Sequence, residues 1–157
     1  MGDARRFDEF AGLIARNFPD RSTHIADVAG GKGGLKAALY QKGYKNVDIW
    51  DRRPRNIKKR RGMKYGLFDY KSAPRKYGLV VGMHPDGGTD QIIHYATRQK
   101  VPFVVCPCCA IPSVGPFYGE PHQWFDHIAQ LAKRGGMKVF ETVLPIKGKN
   151  RVLVGRP

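Results

Sequence analysis

"ADVAGGKGGL", residues 26–35, places four glycines in five positions around a single lysine, directly after an apolar run. Glycine loses more backbone entropy on folding than any other residue, so such a cluster needs a compensating reason. The usual reason is a ligand that must lie against the backbone. The flanking segments make the cluster the loop of a strand–loop–helix unit. "HIADVA" (24–29) predicts a strand and "LKAALYQKGY" (35–44) a helix closed by Gly43.

Ahead of this unit, Phe7, Phe10, Ile14 and Phe18 recur at intervals of three or four, the spacing of one apolar helix face, over residues 4–18. Pro19 ends that helix. Beyond the unit, "NVDIWD" (46–51), "KYGLFDY" (64–70) and "YGLVVGMH" (77–84) predict three strands. The last two are joined only by "KSAPRK" (71–76), which leaves no room for a crossover helix. "GTDQIIHYATRQ" (88–99) predicts a helix with Thr89 or Asp90 as N-cap. "VPFVVCP" (101–107) is the near-continuous apolar run of a strand buried on both faces. A helix over "HQWFDHIAQLAKRGG" (122–136) then precedes "MKVFETVLPI" (137–146) and "NRVLVGRP" (150–157), two strands close enough to pair antiparallel.

Alternating strands and helices that end on two adjacent strands predict a Rossmann-like α/β three-layer sandwich. Its sheet is mostly parallel and seven-stranded with an antiparallel last strand. At 157 residues a single domain over 1–157 is expected, without a separate substrate-recognition domain. Ligands in such sheets sit beyond the carboxyl ends of the strands, where strand order reverses.

Lys and Arg number 28 against 13 Asp and Glu, a net charge of +15, which points to polyanionic partners. The cations peak at "DRRPRNIKKRRGMK" (51–64), where Arg52, Arg53, Arg55, Lys58, Lys59, Arg60 and Arg61 are candidate nucleic-acid contacts. A solvated charged loop would have the same composition. No apolar stretch is long enough for a membrane helix, and "MGDARRFDEF" (1–10) lacks the apolar core of a signal peptide. Three cysteines packed into "CPCC" (106–109) do not make a disulfide framework, so a reducing, cytoplasmic setting is the expectation.

The phosphate loop of nucleotide hydrolases needs a Ser or Thr after its lysine, and Lys32 is followed by Gly33. A dinucleotide fingerprint would place glycines at 29, 31 and 34, where the chain has Ala29, Gly31 and Gly34. "DVAGGKG" (27–33) resembles instead the loop of the class I S-adenosylmethionine-dependent methyltransferases, an acid followed by glycines at every second position. Asp27 is the acid, Gly31 and Gly33 are in place, and Ala29 stands where a glycine is common. The resemblance implies S-adenosylmethionine as cofactor, held by Asp27, Ala29, Gly30, Gly31 and Gly33. It also implies an acid at the end of the second strand, Asp51, for the ribose hydroxyls, and an acid at the end of the third, Asp69, beside the adenine.

"VVGMHPDGGTDQII" (80–93) followed by "PFVVCPCCAIP" (102–112) resembles the tRNA uracil 2′-O-methyltransferase family and its relatives. In that family a histidine segment after strand four precedes a Pro-Cys-Cys after strand five. The resemblance implies an RNA substrate, with tRNA the expected one, and marks His84, Asp86, Cys108 and Cys109 as catalytic candidates. His84 also borders the cofactor and suits a general base, since imidazole titrates near neutral pH. The cysteines could be covalent nucleophiles, metal ligands or pocket wall. Three in four residues match no common structural-zinc spacing, and no metal is assigned. Phe117 and Tyr118 in "GPFYGEPHQWF" (115–125) are candidates for stacking an unpaired base. A homodimer or a partner subunit could assist RNA binding. Two other functions use the same features: a non-catalytic cofactor-sensing module that binds nucleic acid, and a methyltransferase for a small molecule or a protein.

Overall fold

The computed structural model describes residues 3–52 and 63–157, Met63–Tyr65 by their backbone. Helix α1 (Arg6–Asn17) leads into strand β1 (Ile25–Val28), helix α2 (Gly34–Gln41) and strand β2 (Val47–Asp51). Strands β3 (Met63–Tyr65) and β4 (Leu79–Met83) follow, then a 3-10 turn (Asp86–Gly88) that runs into helix α3 (Thr89–Gln99). Strand β5 (Phe103–Cys106), helix α4 (Pro121–Arg134) and the strands β6 (Lys138–Val143) and β7 (Arg151–Arg156) complete the chain.

The strands form one seven-stranded sheet in the order β3-β2-β1-β4-β5-β7-β6. β7 runs antiparallel to both its neighbours, while β1 to β5 are mutually parallel where they pair. This is the Rossmann-like architecture expected from the alternation of elements. Strand order reverses between β1 and β4, which pair in register Ile25↔Leu79 and Asp27↔Val81.

Side-chain alternation along the strands builds two cores. Ile25, Leu79, Val81, Val104 and Val154 pack under α1 and α2 with Phe10, Ile14, Leu35 and Leu39. Ala26, Val80, Phe103, Val105 and Leu153 pack under α3 and α4 with Ile92, Tyr95, Trp124 and Ile128. β1, β4 and β5 are buried along their whole length, as strands covered on both faces must be.

Two expectations need correction. The third strand was expected over 64–70 but ends at Tyr65, because Gly66 adopts φ +140° and turns the chain out of the sheet. Asp69 therefore does not close a strand. Neither Thr89 nor Asp90 caps α3, whose N-cap is Gly88; Asp90 instead bonds a distant loop. The run from Arg53 to Arg61 lies outside the described residues, and of the expected basic contacts only Arg52 is placed, exposed just after β2. Among the described residues no helix is long and apolar enough to cross a membrane.

Candidate functional site

Three hollows lie along the carboxyl ends of the strands, on both sides of the point where strand order reverses. The first, about 320 Å³, is lined by Asp27, Ala29, Gly30, Gly31 and Lys32 of the β1–α2 loop, by Arg6 and Phe7 of α1, and by Met83 and His84 after β4. The second, about 350 Å³, lies between the ends of β2 and β4 and shares Ala29 with the first. Asp51, Trp50, Phe68 and Leu67 form one side of it, and Asp86, Gly87 and Ile111 to Ser113 the other. The third, also about 350 Å³, is bounded by Pro107 to Ala110 after β5, by His122, Trp124 and Phe125 of α4, and by Gly148 to Arg151 of the β6–β7 hairpin.

The glycine loop is built for close approach. A Cβ on Gly30 would lie 2.5 Å from Asp27 Oδ2 and 2.8 Å from Ile49 Cγ2, so that position admits no side chain without displacement. Phe7 of α1 fills the space a Cβ on Gly34 would need, which seats α1 against the start of α2. Backbone strain gathers at the same face of the sheet. Four described non-glycine residues have left-handed φ, and Ala29 (57°), His84 (54°) and Asp86 (49°) are three of them. Such conformations persist where the surroundings over-determine them, often at ligand sites.

Two carboxylates anchor the first two hollows in different ways. Asp51 Oδ2 accepts the Gly31 amide at 2.8 Å and so ties the end of β2 to the glycine loop. Asp27 is buried, and its Oδ2 has no hydrogen-bond partner among the described residues. Burial, reinforced by the charge of Asp51 and opposed by that of Lys36, pushes the Asp27 carboxyl up to about 8. A buried acceptor without a donor is costly, and it points to a cationic or hydrogen-bonding ligand.

His84 is held by its Nε2 at 2.8 Å from the Lys149 carbonyl. A carbonyl only accepts, so Nε2 carries the proton in this contact, and in the neutral ring Nδ1 is then the acceptor. Cys106 is buried and donates to the same carbonyl at 3.5 Å, apart from its two neighbours. Cys108 donates to Asp86 Oδ1 at 3.0 Å, and burial together with this contact raises its thiol to about 12. A free thiol so held is not a nucleophile at neutral pH. Cys109 is exposed beside it.

The loop after β5 roofs the second hollow, and it is pinned from α3. Asp90 accepts the Ser113 amide at 3.0 and 3.2 Å and the Ser113 hydroxyl at 2.9 Å. Gln91 donates to the same hydroxyl and accepts the Tyr70 amide, which ties in the segment after β3 as well.

The expected site residues are thus only partly brought together. Asp27, Ala29, Gly30, Gly31, Asp51, His84, Asp86, Cys108, Cys109 and Arg52 all line one of the hollows. Gly33 lies just behind the loop as the N-cap of α2, at φ 92°. Asp69 departs from expectation: its Oδ1 accepts the Lys71 amide at 2.9 Å in a turn, and Phe68 faces the hollow in its place. Phe117 is turned inward, its ring 5.1 Å from that of Trp124, while Tyr118 is 90% exposed and lines none of these three hollows. Arg6, Phe7, Lys149 and Arg151 were not anticipated. The amphipathic pattern of α1 reports only its buried face, and the hairpin's arrival depends on the sheet order.

No family model and no curated protein sequence matches the chain. Solved structures do. A precorrin-6y C5,15-methyltransferase from Geobacter metallireducens superposes with TM-score 0.64 at 10% identity, over 94% of this chain and 86% of that one. The methyltransferase domain of a bacterial Hen1 gives 0.65 at 9% identity, over 96% and 98%. Aeropyrum pernix fibrillarin, solved with natively bound S-adenosyl-L-methionine, gives 0.65 at 10% identity, over 95% and 76%. At such identities the likeness establishes a shared fold, that of class I S-adenosylmethionine-dependent methyltransferases.

Proposed function

We propose that this chain is an S-adenosylmethionine-dependent methyltransferase that acts on RNA, with tRNA the first substrate to test. The observation that carries the cofactor half is the buried oxygen of Asp27, unpartnered among the described residues, beneath a loop that tolerates no side chain at Gly30. The cofactor's methionine end bears an ammonium, the donor this carboxylate lacks. Its carboxylate would face Arg6 and Lys32 in the same hollow. Asp51 suits the ribose hydroxyls, and the flat apolar surfaces of Phe68, Leu67 and Ile111 suit the adenine.

When bound, the cofactor supplies an electrophilic methyl group, so the chain's task is to hold a nucleophile in line and, where needed, take its proton. His84 Nδ1 is the candidate acceptor of that proton, with the ring oriented by the Lys149 carbonyl. Asp86 and Cys108 follow β4 and β5 and contact one another on the wall between the second and third hollows.

RNA as acceptor is supported by the net charge of +15 and by cations at each hollow: Arg6 and Lys32, Arg52, and Lys149 and Arg151. The choice of tRNA rests on the histidine and Pro-Cys-Cys resemblance. A small-molecule acceptor is the second reading, favoured by the size of the third hollow, about 350 Å³. Calorimetry with S-adenosylmethionine and with a nicotinamide dinucleotide tests the cofactor half: saturable binding of the first and none of the second is expected. The reverse would return the loop to the dinucleotide class.

A further inference from the structure

We propose that Asp86, Cys108 and Cys109 form a binding site for a zinc ion, open to the cleft on one side. The three residues come from two loops that the sheet brings together, since β4 and β5 are parallel neighbours in register Met83↔Cys106. One donor atom from each lies within 4.8 Å of the others, and Cys108 Sγ is already 3.0 Å from Asp86 Oδ1. In tetrahedral zinc sites, with bonds of about 2.0–2.3 Å, ligand atoms stand about 3.5–3.8 Å apart. The separations here, from 3.0 Å up to 4.8 Å, bracket that spacing.

The donor chemistry selects the metal. Two sulfurs and one carboxylate oxygen favour a borderline-soft ion such as Zn²⁺ over Mg²⁺ or Ca²⁺, which prefer all-oxygen shells. Each thiol would give its proton to solvent as its metal–sulfur bond forms, leaving two thiolates and a carboxylate around the ion. Asp86 holds its carboxylate toward Cys108 from a left-handed backbone, φ 49°, that a non-glycine residue adopts only at a cost.

Position suggests what the ion does. Asp86 lines the second hollow, and Cys108 and Cys109 line the third, so the cluster stands on the wall between them. Three protein ligands with an open fourth position describe zinc sites that act on a bound water or substrate atom, whereas structural sites are closed by four. The open position here would take a water or an acceptor heteroatom from the third hollow. This is a ligand set that cysteine spacing alone does not reveal, because Asp86 is distant in sequence and Cys106 is turned away to the Lys149 carbonyl.

The test is a cobalt titration of the full chain, purified with a chelator and kept reduced. Expected is one equivalent of Co²⁺ bound with a sulfur-to-cobalt charge-transfer band and the visible bands of a tetrahedral site, all displaced by Zn²⁺. Cys108→Ser, Cys109→Ser and Asp86→Asn should each weaken metal binding by more than the about 10–100-fold typical of outer-shell changes. Cys106→Ser should retain the spectrum. Melting curves without metal identify any variant that fails to fold, and Asp86→Asn is chosen because Asn tolerates the left-handed backbone. Absence of the thiolate–cobalt band in folded wild-type protein overturns the site, as does a band that survives in both Cys108→Ser and Cys109→Ser. Metal binding is measured without the cofactor, so the result stands apart from the methyltransferase proposal.

Discussion

Asp27 and Asp51 lie at the carboxyl ends of adjacent parallel strands, and only one of them is partnered by the glycine loop. Asp51 accepts the Gly31 amide at 2.8 Å, while Asp27 Oδ2 is buried without a donor among the described residues. Burial first, and the charge of Asp51 second, raise Asp27 to about 8.

From this follows a linked stability and affinity prediction for Asp27→Asn. The native state keeps a proton that the unfolded chain loses above the ordinary carboxylate value of 3.8, so stability falls as pH rises from about 4 toward about 8. Denaturant midpoints across that range should decline in the wild type and flatten in Asp27→Asn. The same variant should bind S-adenosylmethionine about 10- to 150-fold more weakly, the value of about 1.5–3 kcal/mol for a charged hydrogen bond. Calorimetry in buffers of different ionisation enthalpy should show a proton released on cofactor binding to the wild type below about pH 8 and none in the variant.

Gly30→Ala should abolish cofactor binding with a smaller loss of stability. The new methyl would meet Asp27 Oδ2 at 2.5 Å and Ile49 Cγ2 at 2.8 Å, and the loop must move to admit it. Cofactor titration followed by intrinsic fluorescence reads the first effect, and thermal melting the second.

Asp90→Ala should release the roof of the second hollow. It removes the acceptor of the Ser113 amide and hydroxyl, a loss of about 1–3 kcal/mol for the groups left unpaired. Limited proteolysis should gain a cut between 107 and 120. Cofactor affinity should fall while the Asp27 linkage to pH is retained.

RNA affinity should fall steeply with salt. Replacing Lys58, Lys59, Arg60 and Arg61 with alanine should lower the slope of log K against log salt by up to about 3, at about 0.7 per single-strand phosphate contact. Fluorescence anisotropy with a labelled RNA over a salt series measures this. An unchanged slope would assign those four cations to solvent.

The layout of the sheet was legible because each element carries its own period: Phe10 and Ile14 on α1, alternating faces on β1 and β4, an unbroken apolar run on β5. The positions of Asp27 and Asp51 near the ends of β1 and β2 were legible too, from the strand patterns and from the resemblance carried by the glycine loop. Asp69 was not. Gly66 ends β3 early, and a turn then consumes the Asp69 carboxylate, an outcome decided by local backbone chemistry rather than by pattern. Phe117 looked free for a base because its neighbours are proline and glycine, yet Trp124 offers it a packed face. The Asp90–Ser113 bond, the His84–Lys149 contact and the Asp86–Cys108–Cys109 cluster join residues far apart in sequence. Only the order of strands brings them together.

The most direct measurement is transfer of labelled methyl from S-adenosylmethionine to separate pools of tRNA, other small RNA, DNA and protein, run with wild type and with Asp51→Ala. The account predicts label in RNA, greatest in tRNA and lost with Asp51→Ala, and nucleoside digestion would then locate the methyl. Label confined to protein, or none in any pool from a chain that binds the cofactor, would contradict it.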